Sequence, residues 1–119
     1  MLKEAHPELL AHHWTEAGET ERAIVEWQRA GKAAQLRNAF AEARESYQQA
    51  IALLKRLPES PERDLRELEL ARSILPPLMF TAGFSAPESI HLVEHAAVLA
   101  EKSGSLKQLV DLMISQGFS

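Results

Sequence analysis

The sequence predicts an all-α protein, and three observations lead to that fold class. Alanine and leucine dominate a chain of 119 residues that contains only five glycines, a composition that favours helix over sheet. Apolar residues recur three and four positions apart along almost the whole chain, which places them on one side of successive helices. Only a few residues separate one such stretch from the next, so neighbouring helices are expected to lie antiparallel. About six helices are predicted, as a closed bundle or as an open stack of helix hairpins.

The first two helices are bounded by residues that start and stop helices. The first is predicted over residues 7–17, because Pro7 suits a first turn and Gly18 suits the left-handed residue that ends a helix. The second is predicted from about residue 20 to about residue 37, and Asn38 is its expected stop.

Prolines delimit the third and fourth helices. The third is predicted over residues 40–57, because Pro58 cannot donate to the helix ladder and disfavours helix at the residue before it. Ser60-Pro61-Glu62 provides an N-cap, a proline at the first helical position and an acid in the first turn of the fourth helix. Pro76 and Pro77 lie inside its apolar pattern, so a kink or a short break is expected there. Gly83 is expected to end it.

The fifth helix is expected to begin at a capping box and to run to about residue 102. In this box the Ser85 oxygen accepts from the amide of Glu88, and the glutamate reaches back. The predicted core side holds Ile90, Val93, Ala97 and Ala100, widened by Leu92, Ala96 and Leu99. Gly104 separates this helix from a sixth, whose apolar residues are Leu106, Leu109, Val110, Met113 and Ile114.

One internal repeat favours the open stack over the closed bundle. The tetratricopeptide (TPR) pattern is matched, with substitutions, by Trp27, Ala30, Gly31, Ala34, Ala43, Tyr47 and Ala50. In this pattern small residues, here Gly31 and Ala43, lie where two antiparallel helices cross, and Trp27 and Tyr47 fill the space beside the crossing. A second copy, shifted back by 20 residues, comprises Ala11, Trp14, Ala23, Trp27 and Ala30. The sequence therefore predicts a TPR-like α-α superhelix.

The chain also resembles a family of large bacterial proteins. The run Pro-Glu-Leu-Leu-Ala-His-His-Trp-Thr-Glu-Ala-Gly over residues 7–18 looks like the start of their helical repeat region. These proteins carry a class III adenylate or guanylate cyclase domain, a P-loop ATPase domain and then TPR-like repeats. Residues 23–31, 57–63, 83–88 and 103–109 are similar to the same region, in the same order.

The resemblance implies that residues 1–119 are one TPR-like domain, a fragment of the C-terminal repeat region of a signal-transduction protein. The parent protein would then be a cyclase. Related repeats occur in ATPase-type transcription regulators, which are an alternative parent.

Composition and missing motifs exclude several functions for this segment. The formal net charge of −4 argues against nucleic acid and against anionic membranes as partners. No phosphate-binding loop is present, so no ATPase site is expected in this segment. A class III cyclase holds its catalytic metal ions with two aspartates, whereas the only two aspartates here, Asp64 and Asp111, lie on different predicted helices. The catalytic metal site of a cyclase therefore cannot reside here. No stretch suits a signal peptide or a membrane span, and the expected location is cytoplasmic. We expect no catalytic residue, no cofactor and no metal.

One short motif suggests chemistry. His91-Leu92-Val93-Glu94-His95 matches the His-x-x-Glu-His arrangement of inverted zinc peptidases, and histidines four apart on a helix can share a metal. We prefer to interpret it as two solvated histidines, because the motif is short and no strong candidate for a further ligand is evident. A metal-dependent hydrolase centred on His91, Glu94 and His95 is the alternative, and zinc titration tests it.

The predicted function is a protein-interaction or regulatory module. Counted from Trp27, the polar residues that point outward on the second helix are Gln28, Arg29, Lys32 and Gln35. The shifted copy adds Glu8, His12, Thr15 and Glu16 on the first helix. These eight residues are the predicted contacts for a protein or peptide partner, or for another domain of the parent chain. Self-association through the apolar last helix is also predicted.

Overall fold

Five α-helices follow one another in the structure, a computed structural model that describes residues 7–83 and 85–102. They are α1 (Pro7–Glu16), α2 (Thr20–Leu36), α3 (Phe40–Leu54), α4 (Pro61–Ala82) and α5 (Pro87–Lys102). These two ranges contain no β-strand, so the predicted all-α class is confirmed. The predicted sixth helix lies outside the described residues.

Left-handed residues make the first two connections. Gly18 has a φ of 78° and Asn38 a φ of 62°, a conformation that glycine and asparagine adopt more readily than other residues. After Gly18 the backbone N–H of Glu19 donates to the carbonyl of Trp14 (2.9 Å), and the corresponding bond after Asn38 measures 2.8 Å. Each bond satisfies a carbonyl that the helix end leaves without a partner. Both residues therefore act as the predicted stops.

The connection between α3 and α4 begins earlier than predicted. α3 ends at Leu54, and the N–H of Leu57 then donates to the Leu54 carbonyl (3.0 Å) three residues back, as in a turn. Pro58 contributes to this difference, because proline has no N–H to donate to the carbonyl four residues back, which here is that of Leu54. The start of α4 is as predicted: Ser60 is the N-cap, and its Oγ accepts from the backbone N–H of Arg63 (3.0 Å).

α4 continues as one helix through Pro76 and Pro77 rather than breaking there. The side chain of Pro77 is fully buried, so its ring fills core space while its missing N–H leaves a gap in the ladder. One turn later the hydroxyl of Thr81 donates to the carbonyl of Pro77 (2.8 Å). Gly83, with a φ of 97°, ends the helix as predicted. The kink predicted at Pro76 and Pro77 stays a prediction.

The start of α5 differs from the predicted capping box. The Glu88 carboxylate accepts from the guanidinium of Arg44 in α3 (3.2 Å) instead of reaching back along its own chain. The buried hydroxyl of Ser89 donates to the Gly83 carbonyl (2.7 Å), which joins the first turn of α5 to the end of α4. Contacts between helices thus replace the local cap.

α5 packs on α4 through residues of both the predicted core side, namely Ala100, and the flank that widens it, namely Ala96 and Leu99. Leu99 and Ala100 are buried with Leu68 of α4, and Ala96 packs against them. Ile90 and Val93, on the predicted core side, are 48% and 46% exposed. The periodicity alone could not select between these sides, because apolar residues cover both.

Each helix packs on its neighbours in sequence. The contacts run from α1 to α2, from α2 to α3, from α3 to α4 and from α4 to α5. Gly31 permits a close approach of α2 and α3, because a Cβ there would lie 2.8 Å from Cε1 of the Tyr47 ring. The structure places Tyr47 against Gly31, as the repeat pattern predicts. Fully buried alanines occupy the same core, namely Ala11, Ala23, Ala43 and Ala50.

Candidate partner-binding groove

Two of the eight predicted contact residues accept hydrogen bonds from the chain's own aromatic side chains. The indole N–H of Trp27 donates to Thr15 Oγ1 (3.0 Å), and the hydroxyl of Tyr47 donates to Gln35 Oε1 (3.2 Å). Because both rings are buried, these bonds satisfy polar atoms that would otherwise lose their partners on folding. Burial also raises the pKa of the Tyr47 phenol above its ordinary value of 10.0. Thr15 therefore stabilises the contact between α1 and α2, and Gln35 stabilises the contact between α2 and α3.

The other six predicted residues lie nearer the solvent. Glu8, Glu16 and Lys32 are exposed, Gln28 is half-buried, and the exposed Arg29 lies 3.4 Å from Glu26. The ring of His12 meets Trp27 edge-on with 4.8 Å between ring centres, so His12 also supports the α1–α2 contact. This face remains the predicted partner surface.

A recess lies between α3 and α5 and above α4. We call it the α3–α5 groove. Its volume is about 590 Å³, and it is open to solvent. Ligand sites in proteins are typically concave and apolar with a few polar groups. The apolar residues of the groove are Ile51, Ala71, Ile74, Leu78, Pro87 and Leu92.

The polar residues of the groove come from all three helices. They are Gln48, Lys55, Glu67, Glu88, His91 and His95. Glu67 is the most unusual of them, because its side chain is 5% exposed although it can carry a charge. Its Oε2 lies 2.8 Å from Nε2 of His95 and 3.9 Å from Nζ of Lys55. A buried carboxylate needs such partners to offset the loss of water.

Ion pairs fix the helices that form the groove. Arg44 of α3 donates to Glu88 of α5 (3.2 Å) and to the hydroxyl of Thr81 in α4 (3.1 Å). At the far end of α5, Lys102 lies 3.7 Å from Oδ2 of the buried Asp64 in α4. α5 thus has ion pairs to neighbouring helices near both of its ends.

The His91-x-x-Glu94-His95 motif lies on α5, at the edge of the groove. His91 and Glu94 are exposed, and His95 contacts Glu67 rather than Glu94. Among the described residues, no group of three or more His, Asp or Glu side chains is placed to hold a metal ion. The hydrolase alternative stays a prediction, and zinc titration tests it.

Sequence reasoning missed Glu67, Lys55 and the groove as a whole. The sequence gives one indication that Glu67 is buried. Glu67 lies three residues after Asp64 and directly before Leu68, and all three residues are on the buried side of α4. A charged residue inside such a stripe indicates a buried partner, but the sequence does not say which helix supplies it.

No helix in the described part of the chain is both long and apolar enough to cross a membrane. Comparison with protein-family models, curated proteins and solved structures finds no match.

Proposed function

We propose that this chain is a TPR-like interaction module that binds a helical segment of a protein partner in the α3–α5 groove. The observation that carries the proposal is the groove itself, an open recess with an apolar floor between two helices that both pack on α4. Amphipathic helices bind proteins by laying their apolar side into recesses of this kind.

Contacts between non-sequential helices support stacked hairpins over a closed bundle. Glu21 of α2 accepts from Arg66 of α4 (2.8 Å), and Arg44 of α3 donates to Glu88 of α5. Equivalent helices of successive hairpins lie side by side in a solenoid, which brings second and fourth, or third and fifth, helices together. A closed bundle would instead pair the first and last helices.

The resemblance to cyclase-associated repeats supports a regulatory setting for this binding. We propose that the parent protein is a bacterial class III cyclase with an ATPase domain, or alternatively an ATPase-type transcription regulator. In either setting this segment binds a partner and performs no catalysis. The partner is a separate protein or another domain of the same chain, and the expected location is cytoplasmic.

Two adjacent glutamines on α3 provide a matched test of the groove. Gln48 and Gln49 are both exposed, but only Gln48 lines the groove. Peptides that bind the wild-type chain are first selected from a display library of amphipathic helices. Their affinity is then measured by calorimetry for Gln48→Trp, which fills the groove, and for Gln49→Trp, which does not. Circular dichroism checks that both variants stay folded.

We expect Gln48→Trp to weaken binding by about tenfold or more, a change of roughly 1.4 kcal/mol, and Gln49→Trp to leave it unchanged. If both variants bind like the wild type while Arg29→Glu and Lys32→Glu lose binding, the partner surface is the predicted face on α1 and α2. If no selected peptide binds the purified chain, the proposed function is wrong.

A further inference from the structure

We infer that an exposed apolar stripe on α5 binds residues 103–119 of the same chain, which follow α5 directly. The stripe consists of Ile90, Val93 and Ala97, and we call it the α5 outer stripe. Docking of this segment covers the apolar residues through which two copies of the chain are predicted to associate. The inference is independent of the proposed function, because the α5 outer stripe and the α3–α5 groove are different surfaces.

The α5 outer stripe lies on the side of α5 that faces away from the groove. Successive residues of an α-helix are about 100° apart, so the three stripe residues lie within about 60° of one another. The α5 residues that line the groove, among them His91 and His95, are centred on the opposite side of the helix. Between these two sides, Leu99 and Ala100 pack on Leu68 of α4. α5 therefore has one side on α4, one side on the groove and one outer side.

The outer side carries more exposed apolar surface than a helix surface needs. Ile90 is 48% exposed and Val93 is 46% exposed, and Ala97 is also exposed. Apolar residues that recur three and four positions apart are typical of a side that a helix buries against another helix. Covering them removes apolar area from water, which is favourable. The α5 outer stripe is therefore a docking surface.

The segment that follows α5 has an apolar side of matching length. Its apolar residues also recur three and four positions apart. They are Leu106, Leu109, Val110, Met113 and Ile114. A helix over residues 106–114 is about 12 Å long, and residues 90–97 extend over about 10 Å of α5. Only residues 103–105 separate the two, and so short a connection returns the chain antiparallel along the helix that it has just left.

The charge of the segment also suits an apolar surface. Residues 103–119 contain one lysine, Lys107, and one aspartate, Asp111, and no other charged side chain. Placing this segment on the stripe therefore removes few charges from water, and the desolvation cost is small.

The covalent connection favours this segment over a second copy of the chain. A segment joined by a short linker is present at its site at an effective concentration of about millimolar, which a second copy reaches only in very concentrated solution. A single short helix is marginally stable in water, so helix over residues 106–114 depends on the surface that it covers. Docking within the chain therefore suppresses the predicted self-association.

Two valines of α5 provide a matched test in the full chain. Val93 belongs to the stripe, whereas Val98, which is 59% exposed, lies about 140° around the helix from Val93. Val93→Asp places a charge beneath the docked segment, and Val98→Asp places the same charge on the same helix outside the stripe. Hydrogen exchange measured by NMR at the amides of residues 106–114 reports docking. The amides of α2 and α3 report whether the fold is intact.

We expect the amides of residues 106–114 to exchange at least about tenfold more slowly than those of an unstructured chain. Val93→Asp should remove most of this protection, and Val98→Asp should keep it. Leu109→Asp, which changes the segment instead of the stripe, should have the same effect as Val93→Asp. Light scattering of the wild type at about 0.1 mM, well below the effective concentration of the segment, should give a monomer.

Three results would overturn the inference. Exchange of residues 106–114 in the wild type at the rate of an unstructured chain means that the segment does not dock. Equal effects of the two valine substitutions, whether both keep the protection or both lose it, mean that the stripe is not its site. A wild-type dimer that Val93→Asp dissociates makes a second copy the occupant. None of these results bears on the proposed function, since peptide binding in the groove is measured separately.

Discussion

Gly31→Ala gives the sharpest test of how α2 and α3 pack. Helix propensity alone predicts that alanine at the buried position 31 stabilises the protein by about 1 kcal/mol, because glycine is a poor helix former. The structure predicts the opposite sign. A Cβ at Gly31 would lie 2.8 to 2.9 Å from three ring carbons of Tyr47, where ordinary contact begins at 3.4 Å. The ring would have to retreat by about 0.6 Å.

Tyr47 has little room for this retreat. Its side chain is 4% exposed, and its hydroxyl is tied to Gln35. Forcing an extra carbon into a packed core costs about 1–3 kcal/mol, and three simultaneous contacts place this case at the upper end. With the propensity gain subtracted, we expect Gly31→Ala to lower the free energy of unfolding by about 2 kcal/mol.

Urea unfolding followed by tryptophan fluorescence measures this change. Tyr47→Leu supplies the matched background, since it removes the ring that the new methyl group meets. In that background Gly31→Ala should be neutral, or stabilising by up to about 1 kcal/mol. A higher free energy of unfolding for Gly31→Ala in the wild-type chain would refute the packing argument.

Three further changes test local features of the fold. Ser60→Ala removes the N-cap of α4 and should cost about 1 kcal/mol in urea unfolding, while Ser60→Asp keeps the cap and should stay near the wild type. Thr15→Val leaves the buried indole N–H of Trp27 without its acceptor and should cost about 1–3 kcal/mol, whereas Thr15→Ser should cost little. Because burial raises the pKa of Tyr47, the unfolded chain loses this proton first as the pH rises above 10.0, so stability falls there. Tyr47→Phe removes the only tyrosine, so its stability should not show this fall. If the urea midpoints of the wild type and of Tyr47→Phe change with pH in the same way, the explanation is wrong.

Features set by neighbouring residues could be predicted from the sequence. Gly18, Asn38 and Ser60 mark helix ends because each acts on backbone groups within a few positions of itself. The position of Tyr47 beside the crossing at Gly31 could also be predicted, because the repeat pattern puts an aromatic residue there and a short connection forces the two helices to pack antiparallel.

Features set by distant residues could not be predicted. The contact of Glu67 with His95 joins residues 28 positions apart, and that of Arg44 with Glu88 joins residues 44 apart. Such pairs depend on how helices cross, which a one-dimensional pattern does not contain. The groove is formed where these helices cross, so no sequence motif predicts it.

Mapping of amide chemical shifts by NMR shows whether a partner helix binds in the α3–α5 groove. On addition of a helical peptide that was selected on the wild-type chain, the largest shifts should fall on groove residues such as Ile51, Leu78 and Leu92. Shifts concentrated at Arg29 and Lys32 on α2, or no shifts at saturating peptide, would contradict the account.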